Sequence, residues 1–265
     1  LHEWQTQDLA TAANNAQIEG DDNTALTATP TVRLTNRTQI STKGIIVSAT
    51  QQSVKTAGRA NDLPYLVTLR GLEMKRDMEF ALTQNGTLNN GAAATARQTR
   101  GLEGWVSTNN DLGASGVAPN YGTNTAATDG TQRAFTETQL KNVLQVIFIQ
   151  GGDPDTILVG PSQKQTFSTF TGNTTKFDKS EDKSLTAAVD IYVSDFGTLN
   201  VVPSRFQRAR TAFILEPAKW ALAYLRPMKT EDLAKTGDAD KKMLVCEYAL
   251  EARQEKASGA VRDLL

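Results

Sequence analysis

The sequence holds very few of the residues that most often carry chemistry. Among its 265 residues there is one cysteine, Cys246, and one histidine, His2. A single cysteine excludes an intramolecular disulfide framework and suits a reducing compartment. A single histidine leaves a His-dependent triad or a multi-histidine metal centre without material. Nor is there a surplus of either charge. The chain has 28 basic and 29 acidic residues and a formal net charge of −1, whereas proteins built to neutralise phosphates carry a clustered basic excess. Sequence-specific nucleic-acid binding is therefore not expected. No apolar run approaches the roughly 20 residues that a membrane-spanning helix requires. The opening residues, Leu1-His2-Glu3-Trp4, have neither the basic nor the apolar stretch of a signal peptide.

What is present is an ordinary folded balance of 39% hydrophobic and 22% charged residues. At this length it suffices for one large domain or two modest ones. Residues 1–58 read as extended. Residues 31–35 alternate, with Val32 and Leu34 on one face and Arg33, Thr35 and Arg37 on the other, and Ile45-Ile46-Val47 is strand-like. A turn is expected over Gly20-Asp21-Asp22-Asn23, and Pro30 opposes a helix. The segment has few large apolar residues, so it is expected to lean on something else, another subunit being one candidate. Over residues 62–84 the spacing of Val67, Gly71, Met74, Met78 and Ala81 predicts a helix, with Asp62 as N-cap and Asn85-Gly86 as its stop. Residues 86–134 are rich in Thr, Asn, Gly and Ala, with Leu102, Trp105 and Val106 as an anchor.

From Thr136 the pattern is α/β. Thr136 and Gln139 make a capping box that opens a helix carrying Leu140, Val143, Leu144 and Ile147, closed by Gly151-Gly152. A buried strand at 156–159 and a helix beginning at Pro161 follow. A hairpin is expected around Ser194-Asp195-Phe196-Gly197, then strands at 211–215 and 219–225. The last strong element is a long strand with Leu244, Cys246, Tyr248, Leu250 and Ala252 inward, and Val245, Glu247, Glu251 and Arg253 outward.

Each apparent chemical motif has a plain structural reading. Cys246, on the inward face of a strand, reads as a small core hydrophobe. Asp195-Phe196-Gly197 matches the kinase metal-binding tripeptide, but no H-R-D or glycine-rich loop accompanies it, and it sits in a hairpin. Gly20 to Asn23 and Asp238-Ala239-Asp240 lack the ligand register of an EF-hand. Asn36, Asn85 and Asn173 begin sequons that a chain rich in Asn and Thr produces by chance, and Glu181 and Asp182 sit in a charged loop. Arg205, Arg208 and Arg210 form the one dense basic patch, either a solvated loop or a contact for an anionic surface. No catalytic, cofactor-binding or metal-ligating residue is expected, and the chain does not read as an enzyme.

What remains is an arrangement: an extended arm, a long amphipathic helix, a loop-rich stretch, an α/β core and a late long strand. It is carried by Arg33-Leu34-Thr35-Asn36-Arg37-Thr38-Gln39-Ile40, by Val47-Ser48-Ala49-Thr50 and by Glu73-Met74-Lys75-Arg76-Asp77-Met78-Glu79. Towards the C-terminus it is carried by Val193-Ser194-Asp195-Phe196-Gly197, Trp220 with Leu225-Arg226-Pro227, Ala234-Lys235-Thr236-Gly237-Asp238 and Glu247-Tyr248-Ala249-Leu250-Glu251. In this order the chain resembles the major capsid protein of tailed bacteriophages with the Hong Kong 97-type fold. Within that group it is similar to the SU-ten-type major head protein family of podoviruses.

The resemblance implies an α+β fold in several parts. Residues 1–58 would be an extended hairpin loop lying over a neighbouring subunit. Residues 59–134 would be a peripheral domain with a long spine helix, residues 135–227 an α/β axial domain, and residues 228–265 a return to the peripheral domain. The implied function is a structural subunit of an icosahedral viral head that self-assembles into a shell around double-stranded DNA. Its implied partners are copies of itself in pentamers and hexamers, portal, scaffold and decoration proteins, and packaged DNA contacted without sequence reading. No cofactor and no membrane is implied, and the place is the virion capsid, assembled in the host bacterial cytoplasm. Trp4, Val32, Arg33, Leu34 and Arg37 are the candidate inter-subunit contacts. The near-zero net charge fits, since like-charged subunits packed in a shell would repel one another. The alternatives are an encapsulin-type nanocompartment shell, a secreted adhesin or receptor-binding module, and, last, a hydrolase.

Overall fold

The computed structural model describes residues 1–20, 29–54, 58, 61–170 and 191–265. The turn expected at Asp21-Asp22-Asn23, the sequon at Asn173 and the carboxylates Glu181 and Asp182 lie outside these residues. In chain order the elements are β1 (His2–Thr6), β2 (Val32–Asn36), β3 (Gln39–Ser48), a short helix α1 (Ala49–Ser53) and the long helix α2 (Asp62–Thr83). One turn of helix, α3 (Leu102–Trp105), and a short strand, β4 (Asn110–Asp111), punctuate the loop-rich stretch. Then come α4 (Glu137–Ile149), β5 (Thr156–Val159) and α5 (Pro161–Phe167). The hairpin β6 (Ile191–Ser194) and β7 (Gly197–Pro203) precedes β8 (Ala212–Leu215), β9 (Trp220–Asp232), β10 (Ala239–Ala252) and β11 (Gly259–Val261).

Local chemistry explains most boundaries. The capping box at Thr136 and Gln139 forms as expected and starts α4, and Gly151, at φ +84°, takes the left-handed position just past its end. Pro161 stands at the first position of α5, where its missing N–H costs nothing. The N-cap of α2 corrects the sequence reading. It is Asn61, whose extended backbone lets its side chain accept from Leu63 N at 3.0 Å, while Asp62 is already helical.

Among the described residues the strands form three sheets. β1 and β2 pair antiparallel, with Trp4 opposite Leu34. A three-stranded sheet runs β3-β10-β9, antiparallel throughout. α2 packs on it, burying Met74 and Met78 against Ile45, Val47, Leu244, Cys246 and Tyr248. A six-stranded mixed sheet runs β4-β11-β8-β5-β7-β6. Its core joins Leu140, Val143, Leu144 and Ile147 of α4 to Ile157, Val159, Tyr192, Leu199 and Ile214. α4 and β11 can meet closely because residue 259 is glycine: a Cβ there would lie 2.5 Å from Val143 Cγ1.

Three expectations change. Sheet membership crosses the limits expected at 134 and 227, because β4 and β11 join the six-stranded sheet from outside 135–227 and β9 runs through 227. β3, inside the segment expected to lack a core of its own, leans on this same chain. Its ten residues pair with β10, and Ile45 and Val47 alternate inward beneath α2. β10 has no free face over its middle, since Val245, Glu247 and Ala249 are buried as well. The strand is central, and the 97–100 segment covers its second face: Arg97 reaches Glu247 at 2.9 Å and Thr99 Oγ1 accepts from Leu250 N at 3.3 Å.

The packing of α2 gives a direct check. Met74 is fully buried and its neighbour Lys75 is exposed. Met74→Ala should lower the unfolding free energy by about 2–5 kcal/mol, and Lys75→Ala should leave it nearly unchanged. Urea denaturation of both variants measures the difference, and equal losses would mean that the helix is rotated from this packing.

Candidate assembly surfaces

The N-terminal hairpin is held by its own chain at its base. Trp4 Nε1 donates to Ala252 O at 2.7 Å, and the Trp4 ring stands 5.4 Å from that of Trp105. Leu34 packs with Trp4 against the cluster of Leu102, Trp105, Val106, Phe213 and Leu250. Buried Asn36 donates to Leu250 O at 2.7 Å and accepts from Arg100 N at 3.0 Å. His2 lies 2.7 Å from Glu251. Of the five candidate contact residues, then, Trp4 and Leu34 pack within the subunit, and Arg37 donates through Nε to Asn90 Oδ1 at 2.7 Å. Val32 and Arg33 face outward, Arg33 paired with Glu3. Past β1 the described residues 7–20 are exposed throughout, and Leu9 and Ile18 leave 97% and 78% of their surface open.

Two apolar surfaces were not singled out from the sequence. On α2, Tyr65, Leu69, Leu72 and Phe80 are exposed. At 100° per residue they fall in an arc of about 80°, centred opposite Met74 and Met78. Their spacing, i, i+4, i+7, i+15, is helical, so α2 is apolar on two opposed sides. Such a helix belongs between two bodies. The second surface lies at the C-terminal end of α4, where exposed Phe148 stands 4.9 Å from Phe196 of the β6–β7 turn and is followed by exposed Ile149. An open, largely apolar cleft of about 320 Å³ also lies between the end of α2 and the start of β9, lined by Leu82, Leu102, Leu215, Trp220, Leu222 and Leu250 among others.

The buried charges tie the loop-rich stretch to the C-terminus. Glu103 Oε1 accepts from Arg262 Nη1 at 3.0 Å, Arg208 Nη1 at 2.9 Å and Thr211 Oγ1 at 3.1 Å. Arg262 Nη2 adds bonds to Glu103 O and Val106 O. Burial pushes the Glu103 carboxyl up and the Arg262 guanidinium down, and the charge of each opposes the other's shift. Asp263, at φ +60°, accepts from Gly130 N at 2.7 Å, Gly113 N at 3.0 Å and Arg210 Nη2 at 3.3 Å. The basic patch is thereby corrected. Arg208 and Arg210 turn to Glu103 and Asp263, because buried carboxylates need cations, and to exposed Asp129; only Arg205 of the three is exposed. Among the described residues Arg100 has no carboxylate partner; it lies 4.6 Å over Trp105, donates to Asn124 Oδ1, and burial pushes it down to about 10.

Glu247 is held from three directions. Thr38 Oγ1 donates to it at 2.7 Å, Arg97 at 2.9 Å and Arg226 at 3.0 Å. Arg226 reaches it through an irregularity in the β9–β10 pairing next to Pro227, which has no N–H for the ladder. Cys246 is fully enclosed, and burial pushes its thiol up. Asp195-Phe196-Gly197 lies in the β6–β7 turn, with Ser194 Oγ accepting from Phe196 N. No cluster of His, Cys, Asp or Glu with the makings of a metal site occurs among the described residues. The arrangement is one of pinned loops and open apolar faces.

Comparison with known proteins gives a family and a fold for the whole chain. The family described as SU10 major capsid protein matches residues 1–265. A curated major capsid protein of Escherichia phage Phieco32 is 27% identical, covering 98% of this chain and 85% of that one. Among solved structures, the capsid asymmetric unit of cyanophage A-1(L) superposes with a TM-score of 0.65 at 13% identity, over 99% of this chain and 88% of that one. An encapsulin complex of Synechococcus elongatus gives a TM-score of 0.52 at 11% identity, over 89% of this chain and 76% of that one. The mixed helix-and-sheet fold is thus that of phage capsid subunits, with the encapsulin a more distant relative in fold.

The environment of Glu247 makes acid stability measurable. Burial alone would raise its carboxyl, but the hydrogen bonds of Thr38 and Arg226 and the charges of Arg97 and Arg226 outweigh that and hold it below the ordinary 4.5. A depressed carboxyl stabilises the fold fully above its unfolded value, and the contribution is lost as pH falls from there through the folded value. Glu247→Gln should therefore melt at a lower temperature than wild type at neutral pH, and the gap should close below pH 4.5. Melting curves across pH read this directly; a gap that widens in acid would contradict it.

Proposed function

The chain belongs to the SU10 major capsid protein family, and we propose how its parts divide the work of building a shell. It is a bacteriophage major capsid protein, a structural shell subunit that assembles with copies of itself and forms part of the virion. Membership implies a structural rather than an enzymatic role.

In the proposed division, the part of residues 1–58 that leaves the hairpin reaches over a neighbouring subunit, from a base held by Trp4 and Leu34, while β3 stays paired with β10 of its own chain. Support comes from the open Leu9 and Ile18 and from outward Val32 and Arg33. Helix α2 is the spine of a peripheral domain made of residues 59–134 and 228–265. Its 22 residues and its second apolar stripe support that role. Residues 135–227, completed by β4 and β11, form the axial domain, whose loops meet in pentamers and hexamers; the open Phe148, Ile149 and Phe196 suit such a meeting point. Portal, scaffold and decoration proteins are the further partners, packaged DNA is touched without sequence reading, and assembly takes place in the host bacterial cytoplasm. A lone buried cysteine is compatible with that reducing compartment.

The mechanism is burial repeated by symmetry. Obligate interfaces remove about 2,000–5,000 Å² from water, and each large apolar side chain fully buried contributes about 1.5–3 kcal/mol. The one observation that carries the functional conclusion is the family match over the whole chain.

Electron microscopy of the purified protein should show closed shells or five- and six-membered rings, and a monomer at every concentration would refute this. Leu72→Asp with Phe80→Asp, and separately Leu9→Asp with Ile18→Asp, should leave the melting temperature of the subunit nearly unchanged and abolish shells. Wild-type shell yields from both pairs would remove these surfaces from assembly.

A further inference from the structure

The chain contains two Asn-Gly pairs, Asn85-Gly86 and Asn90-Gly91, and the fold treats them oppositely. The Asn85 amide is tied at both ends: Nδ2 donates to Ala127 O at 2.7 Å and Oδ1 accepts from Ala127 N at 3.0 Å. Asn90 is exposed. Its Oδ1 accepts from Arg37 Nε at 2.7 Å, and its Nδ2 has no hydrogen-bond partner among the described residues. The next residue must be glycine, since Gly91 sits at φ +76° and a Cβ there would lie 2.6 Å from Arg97 Cγ. With no Cβ, nothing on that residue shields its nitrogen. The Gly91 N–H donates to Asn89 Oδ1 at 2.9 Å, a bond that must open before the nitrogen can ionise.

We propose that Asn90 is a self-modification site: it deamidates in the folded subunit, and Arg37 both promotes the step and pairs with the acid it leaves. The Gly91 nitrogen, losing its proton to water or hydroxide, forms a bond to Asn90 Cγ. The charge that develops on Oδ1 falls on the Arg37 N–H, a donor already in place. The Cγ–Nδ2 bond then breaks, and the nitrogen takes a proton from water and leaves as ammonia. A second water opens the succinimide at either carbonyl and leaves aspartate or isoaspartate. Only water is consumed and no redox partner is needed. The product exchanges a hydrogen bond from the Arg37 cation to a neutral amide for an ion pair with a carboxylate. It lies between the β2–β3 connection and the segment that covers β10, so the change would tighten that contact after folding is complete.

The test is peptide mapping by mass spectrometry of the purified full chain held in mildly alkaline buffer. In the folded protein the peptide carrying Asn90 should gain the acid form several-fold faster than the peptide carrying Asn85, and in urea the two rates should converge. Arg37→Met should slow Asn90 several-fold and leave Asn85 unchanged. A rise at Asn85 in that variant would report lost folding, and the wild-type comparison of folded with denatured protein then decides alone. Equal rates at the two sites in folded protein, an unmodified Asn90, or an unslowed Asn90 in folded Arg37→Met would each overturn the proposal.

Discussion

Strand β10 is paired along both edges and buried on both faces, and the rest of the subunit is arranged around that burial. Leu244, Cys246 and Tyr248 meet the inner side of α2, while Leu250 and Ala252 enter the cluster shared by Trp105, Phe213 and Ala260. The second cluster reaches the six-stranded sheet through Phe213 and Ala260, and the N-terminal hairpin through Trp4 and Leu34. A central strand of this kind transmits register. A slip of one residue would put Glu247 among the methionines of α2 and Cys246 among the arginines. The ion pairs of Glu247 with Arg97 and Arg226 therefore act as a polar pin on the alignment of β10.

Charge in this molecule is spent internally. Glu103, Glu247 and Asp263 are buried carboxylates, and each recruits arginine or backbone N–H groups from a distant part of the sequence. Removing one partner from such a pair leaves an uncompensated buried charge, which typically costs about 3–5 kcal/mol. The loops of the 86–134 stretch carry little apolar surface of their own, and these contacts give them definite positions. The C-terminal residues 259–264 are structural for the same reason: Arg262 and Asp263 hold α3 and the 113–130 loop.

What is left open is apolar and lies on rigid elements. The outer stripe of α2 is mounted on a helix whose opposite side is packed into a core, so it presents its side chains in a fixed pattern. The stretch from 7 to 20 is the reverse case, an exposed segment leaving a firmly anchored hairpin. Both kinds of surface suit the assembly proposed above. Fixed faces set the angle between neighbours, and extended segments with few contacts of their own can conform to whichever neighbour they meet.

Much of the fold was legible because its signals are local. Helix α2 follows from the spacing of Met74 and Met78, α4 from its capping box, and the β6–β7 hairpin from Ser194 to Gly197, each a pattern of a few residues with one physical cause. The family likeness added an expected division of these parts among domains. The reading of the first 58 residues was incomplete because strand alternation shows which residues share a face and not which body that face meets; β3 found β10, about 200 residues away in sequence. The arginine patch looked solvated because an ion pair such as Arg262 with Glu103 joins residues 159 positions apart, and no local pattern marks the partner. By itself, then, the sequence determined the elements, their order and the poverty of catalytic groups, since those depend on residue type and near-neighbour spacing. Only the tertiary structure decided which charges are buried in pairs, which faces remain open and which of two Asn-Gly pairs is exposed. Those depend on contacts between segments that the chain must fold to bring together.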